Sequence, residues 1–317
     1  MKHIFIVNPA AGKENSLEAI RSEIAKYPTY DCEIYETHES HDATTYIREY
    51  CQAHSDPVRF YACGGDGTIN EVVQGIYGFS HASMSCYPCG SGNDFVKYYG
   101  GKDVFLDMGA LLKAEATPID IMRVNEQLSI NVTDFGFDTT AAATMIKVKK
   151  KPIIGGKMAY YTGVLVAIVK AMKTRCTVTV DGEILNPSGL MLLGTVACGR
   201  YIGGAFCCAP RSDNTDGLLD VGLARPISRL KLISLVKSYA KGKHLDDPRF
   251  AGIFTYRQAK KVTLDAEKGF AITLDGEIVY GEHFDIEILP GGISFAVPGQ
   301  VNGAEEENQE EALAQVN

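Results

Sequence analysis

The first ~120 residues switch hydrophobic period repeatedly, and this alternation restricts the fold more than any other feature of the chain. HIFIVN (3–8) reads as a strand, and residues 15–26 repeat apolar positions at helical spacing. CEIYE (32–36) is a strand, 41–54 a helix, VRFYAC (58–63) a strand, 68–77 a helix, and 83–88 another strand. Strands alternating with helices over short connections predict a mostly parallel sheet covered by helices. In such sheets a ligand lies beyond the carboxyl ends of the strands. The loops after Val7, Cys63 and Pro88 are therefore the places to look for chemistry.

From about residue 120 the texture changes. Helical patterns at 137–149 and 157–173 give way to short β-type runs at 176–181, 190–198, 218–224, 253–257, 261–265, 270–275, 278–280 and 284–289. Asp-Gly pairs at 181–182 and 275–276 are strong hairpin signals, and one amphipathic helix, 228–240, interrupts the β runs. The expected fold class is α/β with two domains. A mostly parallel α/β domain spans 1–120, and an antiparallel, sandwich-like β domain spans 121–289. ISFAVP (293–298) can pair back with either domain. Residues 301–317 hold five Glu and no Lys or Arg, have almost nothing to bury, and are expected to be disordered.

That tail carries −5 of the net −8, leaving −3 on the other 300 residues. No basic excess remains for a general nucleic-acid binder, so no nucleic acid is expected as partner. The cysteines number nine, and Met1-Lys2-His3 runs straight into a strand without a signal-peptide pattern. Reduced thiols in a cytoplasm are expected, with Cys86-x-x-Cys89 a strand entering a glycine loop. The longest apolar stretch, Met158–Met172, is interrupted by Lys170 and is shorter than the ~20 residues that span a bilayer.

The strongest chemical signal is CGGDGTINEV (63–72), which follows a β run and opens a helix. Gly64, Gly65 and Gly67 allow close backbone approach and positive φ, and a helix N-terminus favours phosphate oxygens. Thr68-x-x-Glu71 also fits a capping box. That reading does not explain three glycines around Asp66, whose carboxylate suits a magnesium ion or a proton. NPAAGK (8–13) makes a second loop before a helix, although no G-x-x-x-x-G-K-[ST] string occurs. CGSGNDF (89–95) is the third loop at the same sheet edge, with Ser91 and Asn93 between its glycines. Asp213-x-x-Asp216-Gly217-Leu218 gathers two carboxylates and backbone carbonyls, suited equally to a hard cation or a polar turn.

The order NPAAG, GGDGTINEV, GSGNDF, DFGFD (134–138), APRSDNTDGLLDV (209–221) and LDGE (274–277) resembles the diacylglycerol kinase catalytic family, over residues 3 to about 298. The resemblance implies a nucleotide-binding α/β domain and a β-sandwich-like domain with ATP in the cleft between them. It implies an ATP-dependent lipid kinase, with diacylglycerol the default acceptor and magnesium as cofactor. Asn8, Gly12, Thr37 and Ser91 would line the nucleotide pocket. Gly65, Asp66, Gly67, Thr68, Asn70 and Glu71 would hold phosphates, magnesium and ribose. Asp213, Asp216 and Leu218 match a stretch that holds structural magnesium in bacterial members. A carboxylate in a late DGE turn would accept the lipid hydroxyl's proton, and either Glu277 or Asp275 could serve. The earlier turn, Asp181-Gly182-Glu183, is the competing hairpin. An NAD kinase shares GGDGT but not the other stretches, and a silent lipid-binding protein would not need every acidic position.

Lys147, Lys149, Lys150 and Lys151 form a basic run suited to a solvated face or to anionic headgroups. The expected location is cytoplasmic and peripheral, with the lipid substrate met at the inner membrane surface. A homodimer is compatible with the pattern.

Overall fold

The computed structural model describes residues 1–11, 16–90, 92–149, 166, 171–204 and 206–299. Strands β1 (Lys2–Val7), β2 (Asp31–Glu36), β3 (Val58–Cys63) and β4 (Ala82–Cys86) lie parallel in the order β2-β1-β3-β4. Between them run α1 (Ser16–Ile24), α2 (Asp42–Ala53) and α3 (Asp66–Ile76). β3 is buried along its whole length, as expected for a central strand covered on both faces. Its one charge, Arg59, donates to the carbonyls of Leu111 (3.3 Å) and Ala114 (2.6 Å) at the end of α4 (Met108–Lys113).

The sequence pattern marks no strand between residues 88 and 137, yet β5 (Ala116–Val124), β6 (Gln127–Ser129) and β7 (Val132–Gly136) lie there. Pro118, Asp120 and the polar stretch around Ser129–Asn131 break the alternation that would reveal them. β5 is held along the strand His283–Ala296, and β7 between the strands Leu193–Ala197 and Ala271–Leu274, all partners distant in sequence, while β6 folds back on β5 as a local hairpin.

The rest follows as α5 (Phe137–Lys149), β8 (Thr174–Val180), β9 (Glu183–Ile184), β10 (Leu190–Met191), β11 (Leu193–Ala197), β12 (Tyr201–Ile202), β13 (Phe206–Cys207) and β14 (Leu219–Ala224). Then come α6 (Arg229–Ala240), β15 (Phe254–Ala259), β16 (Lys261–Ala266), β17 (Ala271–Leu274), β18 (Glu277–Tyr280) and β19 (His283–Ala296). The antiparallel sandwich-like architecture expected of this half is present. Its second sheet has six strands in the order β15-β14-β11-β7-β17-β18. The expected helix over 157–173 lies almost wholly outside the described residues.

β19 ties the molecule together. Its first half pairs antiparallel with β16, β5 pairs antiparallel with it on both sides of a bulge, and Phe295 near its end pairs parallel with Met84 of β4. One eleven-stranded sheet thus runs through both halves of the chain. The register shifts between Leu289 and Ile293, where Gly291 takes φ +57°. Buried Asp120 of β5 fixes this bulge: its carboxylate accepts from Gly291 N and from Gly217 N, both at 2.7 Å.

Three apolar clusters result. One fills the α/β half, one lies between the two sheets, and one lies on the outer face of the six-stranded sheet beneath α6. All nine cysteines are free thiols, Cys86 and Cys89 included. Among the described residues no helix is long and apolar enough to cross a membrane.

Candidate active site

β1 is flanked by β2 on one side and β3 on the other, so the connections leaving β1 and β3 diverge and open a crevice at their carboxyl ends. The first two glycine loops meet there. Asn8 follows β1, accepts from Ala10 N (2.9 Å), and donates from Nδ2 to Thr68 Oγ1 at 3.4 Å. Thr37, after β2, is tied to the Val7 carbonyl by its N–H at 2.9 Å. The third loop closes the group, since Cys89 and Gly90 both donate to the Gly64 carbonyl (2.9 and 3.1 Å). Gly12 and Ser91 lie outside the described residues.

The glycines serve close approach, and none of Gly64, Gly65 and Gly67 has the positive φ that the sequence suggested. A Cβ on Gly64 would meet Thr68 Oγ1 at 2.1 Å, and one on Gly90 would meet Gly65 Cα at 2.6 Å. These two positions are closed by packing. At Gly67 a Cβ would meet nothing nearer than Glu277 Oε1 at 3.8 Å.

The capping box does not form. α3 begins at Asp66 with Gly65 as its N-cap and no side-chain cap, so Thr68 sits inside the first turn. The N–H groups at the head of α3 thus have no capping side chain. The side chain of Asp66 turns toward the third loop, where Oδ1 accepts Phe95 N at 3.2 Å. Burial, then the neighbouring Asp94 carboxylate, push its pKa up to about 6, against backbone N–H groups of Asp94 and Phe95 that pull it down. Asp66 therefore also anchors the turn Phe95–Tyr99, a structural task the sequence did not disclose.

The late DGE turn arrives at this same place. β17 and β18 are joined by Asp275 (φ +49°) and Gly276 (φ +97°), the two positive φ angles of a two-residue hairpin turn. Asp275 is fully engaged. Oδ1 accepts Ser129 Oγ (2.7 Å), Asn131 N (3.0 Å) and Val132 N (3.1 Å), while Oδ2 accepts Asn70 Nδ2 (2.8 Å) and Ile130 N (3.0 Å). Five donors fill the roughly four lone-pair sites of a carboxylate, which corrects the reading of Asp275 as an alternative proton acceptor. Asn70 is likewise committed to the protein, donating to Asp275 and to the Leu128 carbonyl (2.9 Å), so it links α3 to the turn. Glu277 is exposed and has no partner among the described residues. The earlier hairpin has the same turn at Asp181-Gly182, but its aspartate accepts Lys261 N (2.9 Å) at the start of β16. It has no part in the crevice.

Residues 2–124 match the profile of the Diacylglycerol kinase catalytic domain, and residues 131–297 match the YegS C-terminal NAD kinase beta sandwich-like domain. The chain belongs to this family. A diacylglycerol kinase of Bacillus subtilis (strain 168) is 28% identical over 291 residues, covering 90% of each chain. A YegS-like relative from Pectobacterium atrosepticum is 29% identical over 297 residues, covering 92% of this chain and 94% of its own. The crystal structure of a diacylglycerol kinase from Bacillus anthracis str. Sterne superimposes with a TM-score of 0.70 at 22% identity, covering 94% and 97% of the two chains.

The resemblance implies a structural cation at Asp213, Asp216 and Leu218, and in this loop both aspartates also accept hydrogen bonds from the protein. Asp213 Oδ1 accepts Thr215 N (2.9 Å) and Thr215 Oγ1 (2.7 Å). Asp216 accepts Leu218 N (2.9 Å) on one oxygen and Gln258 Nε2 (3.1 Å) on the other. Among the described residues no three acidic, His or Cys side chains converge as a metal site. The loop is shaped by its own turns and by Asp120, whose carboxylate accepts Gly217 N at 2.7 Å.

Of the remaining family positions, Glu71 lies in the second turn of α3, half-buried, and its carbonyl accepts Thr44 Oγ1 at 2.9 Å. The side chains of Lys147 and Lys149, and all of Lys150 and Lys151, lie outside the described residues. The sequence reading gave no role to Asp94, which accepts Lys97 Nζ (2.5 Å) and Gly204 N (3.0 Å) beside Asp66. It also gave none to Asp120. In Asp94 the signal was present, as an acidic residue closing a glycine loop. Asp120 had none, since its partners are 97 and 171 residues away.

Proposed function

We propose that this chain is an ATP-dependent lipid kinase that transfers the γ-phosphate of ATP to a lipid hydroxyl, with diacylglycerol the first candidate acceptor and phosphatidic acid its product. The observation that carries the reading is the position of Glu277. A free carboxylate from one half of the chain stands beside Gly67, at the uncapped head of the helix that opens the glycine loop of the other half. The name of the 28% identical Bacillus subtilis relative supports the choice of acceptor.

Phosphoryl transfer requires held phosphates, neutralised charge and a base at the attacking hydroxyl. The N–H groups at the head of α3 suit the phosphate oxygens, with Asn8 and Thr37 lining the same crevice. Glu277 accepts the hydroxyl proton as the oxygen attacks the γ-phosphorus and the bond to the β–γ bridging oxygen breaks, releasing ADP, while Asp275 with Asn70 keeps the turn in place. Asp66 would hold a magnesium ion arriving with the nucleotide. The burial and repulsion that raise its pKa favour a compensating cation there, and the ion would supply charge neutralisation. The acceptor resides in a bilayer, so the enzyme works at a membrane surface.

The test is ATP turnover on a panel of diacylglycerol, monoacylglycerol, ceramide and sphingosine in mixed micelles, with NAD as a soluble acceptor. Labelled phosphate on diacylglycerol is expected. Label on NAD with none on any lipid would contradict the reading.

A further inference from the structure

α6 has two apolar faces, and among the described residues only one of them is covered. Leu235 and Tyr239 are buried, and with Leu232 they pack onto the outer cluster of the six-stranded sheet. Leu230, Ile233 and Val236 recur every third residue on the other side, and are 81%, 58% and 39% exposed. Among the described residues seven large apolar side chains are exposed, and three of them stand on this one twelve-residue helix. A surface helix ordinarily turns polar residues to water, so this row calls for a covering surface.

Charge indicates which surface. Residues 225–243 contain six Lys and Arg and no Asp or Glu, in a chain of net charge −8 (−14 on the rest once this +6 is set aside). Lys231, Lys237, Lys241 and Lys243 have no carboxylate partner among the described residues, so this charge is not spent inside the fold. An acidic protein partner could match the lysines but would not need the apolar row. An anionic phospholipid surface takes both, since apolar side chains sink into the headgroup boundary while lysines stay at the phosphates.

We propose that α6 is the membrane-docking element, lying in the plane of an anionic bilayer with Leu230, Ile233 and Val236 immersed. The helix is joined to the catalytic half of the sandwich. Leu235 and Tyr239, on its inner face, pack in one cluster with Val132 of β7, and β7 pairs with β17, the strand that leads into the Glu277 turn. Docking through α6 thus presents the domain that carries the base to the lipid. The purpose of the contact rests on the lipid-kinase reading, while its chemistry does not.

Co-sedimentation of the full chain with vesicles of phosphatidylglycerol and phosphatidylcholine tests this. Binding should rise with the phosphatidylglycerol fraction and fall with salt. The triple variant Leu230→Ser, Ile233→Ser, Val236→Ser should weaken partitioning at least ~30-fold. Lys231→Gln, Lys237→Gln, Lys241→Gln should weaken it by roughly fivefold per lysine and flatten the salt dependence. Both variants should keep wild-type turnover of a short-chain, water-soluble diacylglycerol. Wild-type partitioning by the serine variant overturns the proposal. So does sedimentation velocity showing a wild-type dimer that the serine variant splits with vesicle binding unchanged, since the row would then face a second copy. A wild type that binds anionic vesicles through α6 but phosphorylates no lipid would sink the kinase reading and leave the docking surface standing.

Discussion

At the scale of single residues, the two carboxylates of the late hairpin turn divide the work. Asp275 receives five hydrogen bonds from segments 70 and 129–132, while Glu277 receives none from the described residues. Asp275→Ala should leave several buried donors unpartnered and lower stability by about 3 kcal/mol or more, measured by chemical denaturation. A loss of activity at unchanged stability would instead make Asp275 a direct participant. Asp66 behaves in the opposite sense. Its folded-state pKa is raised to about 6, so the stability tied to its neutral form is complete below about pH 4 and is lost as pH rises through 6. Asp66→Asn should therefore match or exceed wild-type stability at pH 7.5 while turnover falls ~10²-fold or more. Turnover near wild type would remove Asp66 from the chemistry. Asp66 was legible because glycines surround it. The engagement of Asp275 was not, because every donor to it is more than 140 positions away in sequence.

At the scale of elements, the glycine loops separate into packing and access. Gly90→Ala pushes a methyl group against Gly65 Cα, a backbone atom that cannot step aside, and should cost about 1–3 kcal/mol. Gly67→Ala finds room, and alanine favours a helix, so melting should hold or rise. Its methyl group points toward Glu277 and should cut turnover at least tenfold. Equal melting of the two variants would mean that the third loop does not pack closely against Gly65. The parallel strands were readable because a covered strand is a continuous apolar run, as VRFYAC is. Asp-Gly located both hairpins for an equally local reason, the left-handed conformation. β5–β7 were invisible because Pro118 and Asp120 interrupt the pattern, and Asp120 is tolerated only through its two backbone donors in other segments. Likewise β19 reads as two strands split at Pro290, although the bulge carries it through as one.

At the scale of the whole molecule, β19 and β5 make one sheet of two domains, and the hairpin beside α3 closes the crevice from the other side. Behind that hairpin, burial pushes Asp134 and Asp138 well above the ordinary carboxylate range, and repulsion from Asp138 adds to the shift of Asp134. Raised pKa values stabilise the fold while these groups stay protonated, so stability should fall as pH climbs from about 4 toward 8. Asp138→Asn should flatten that decline, with differences on the order of 1 kcal/mol per pH unit read from melting curves. An unchanged slope would mean the pair does not titrate with folding. The measurement that bears most directly on the function is transfer of labelled γ-phosphate from ATP to diacylglycerol by wild type, Glu277→Gln and Glu183→Gln, with ATP affinity measured alongside. The structure predicts product from wild type and from Glu183→Gln, and a loss of ~10²-fold or more in Glu277→Gln with ATP affinity nearly unchanged. Full turnover in Glu277→Gln, or a loss confined to Glu183→Gln, would contradict the account.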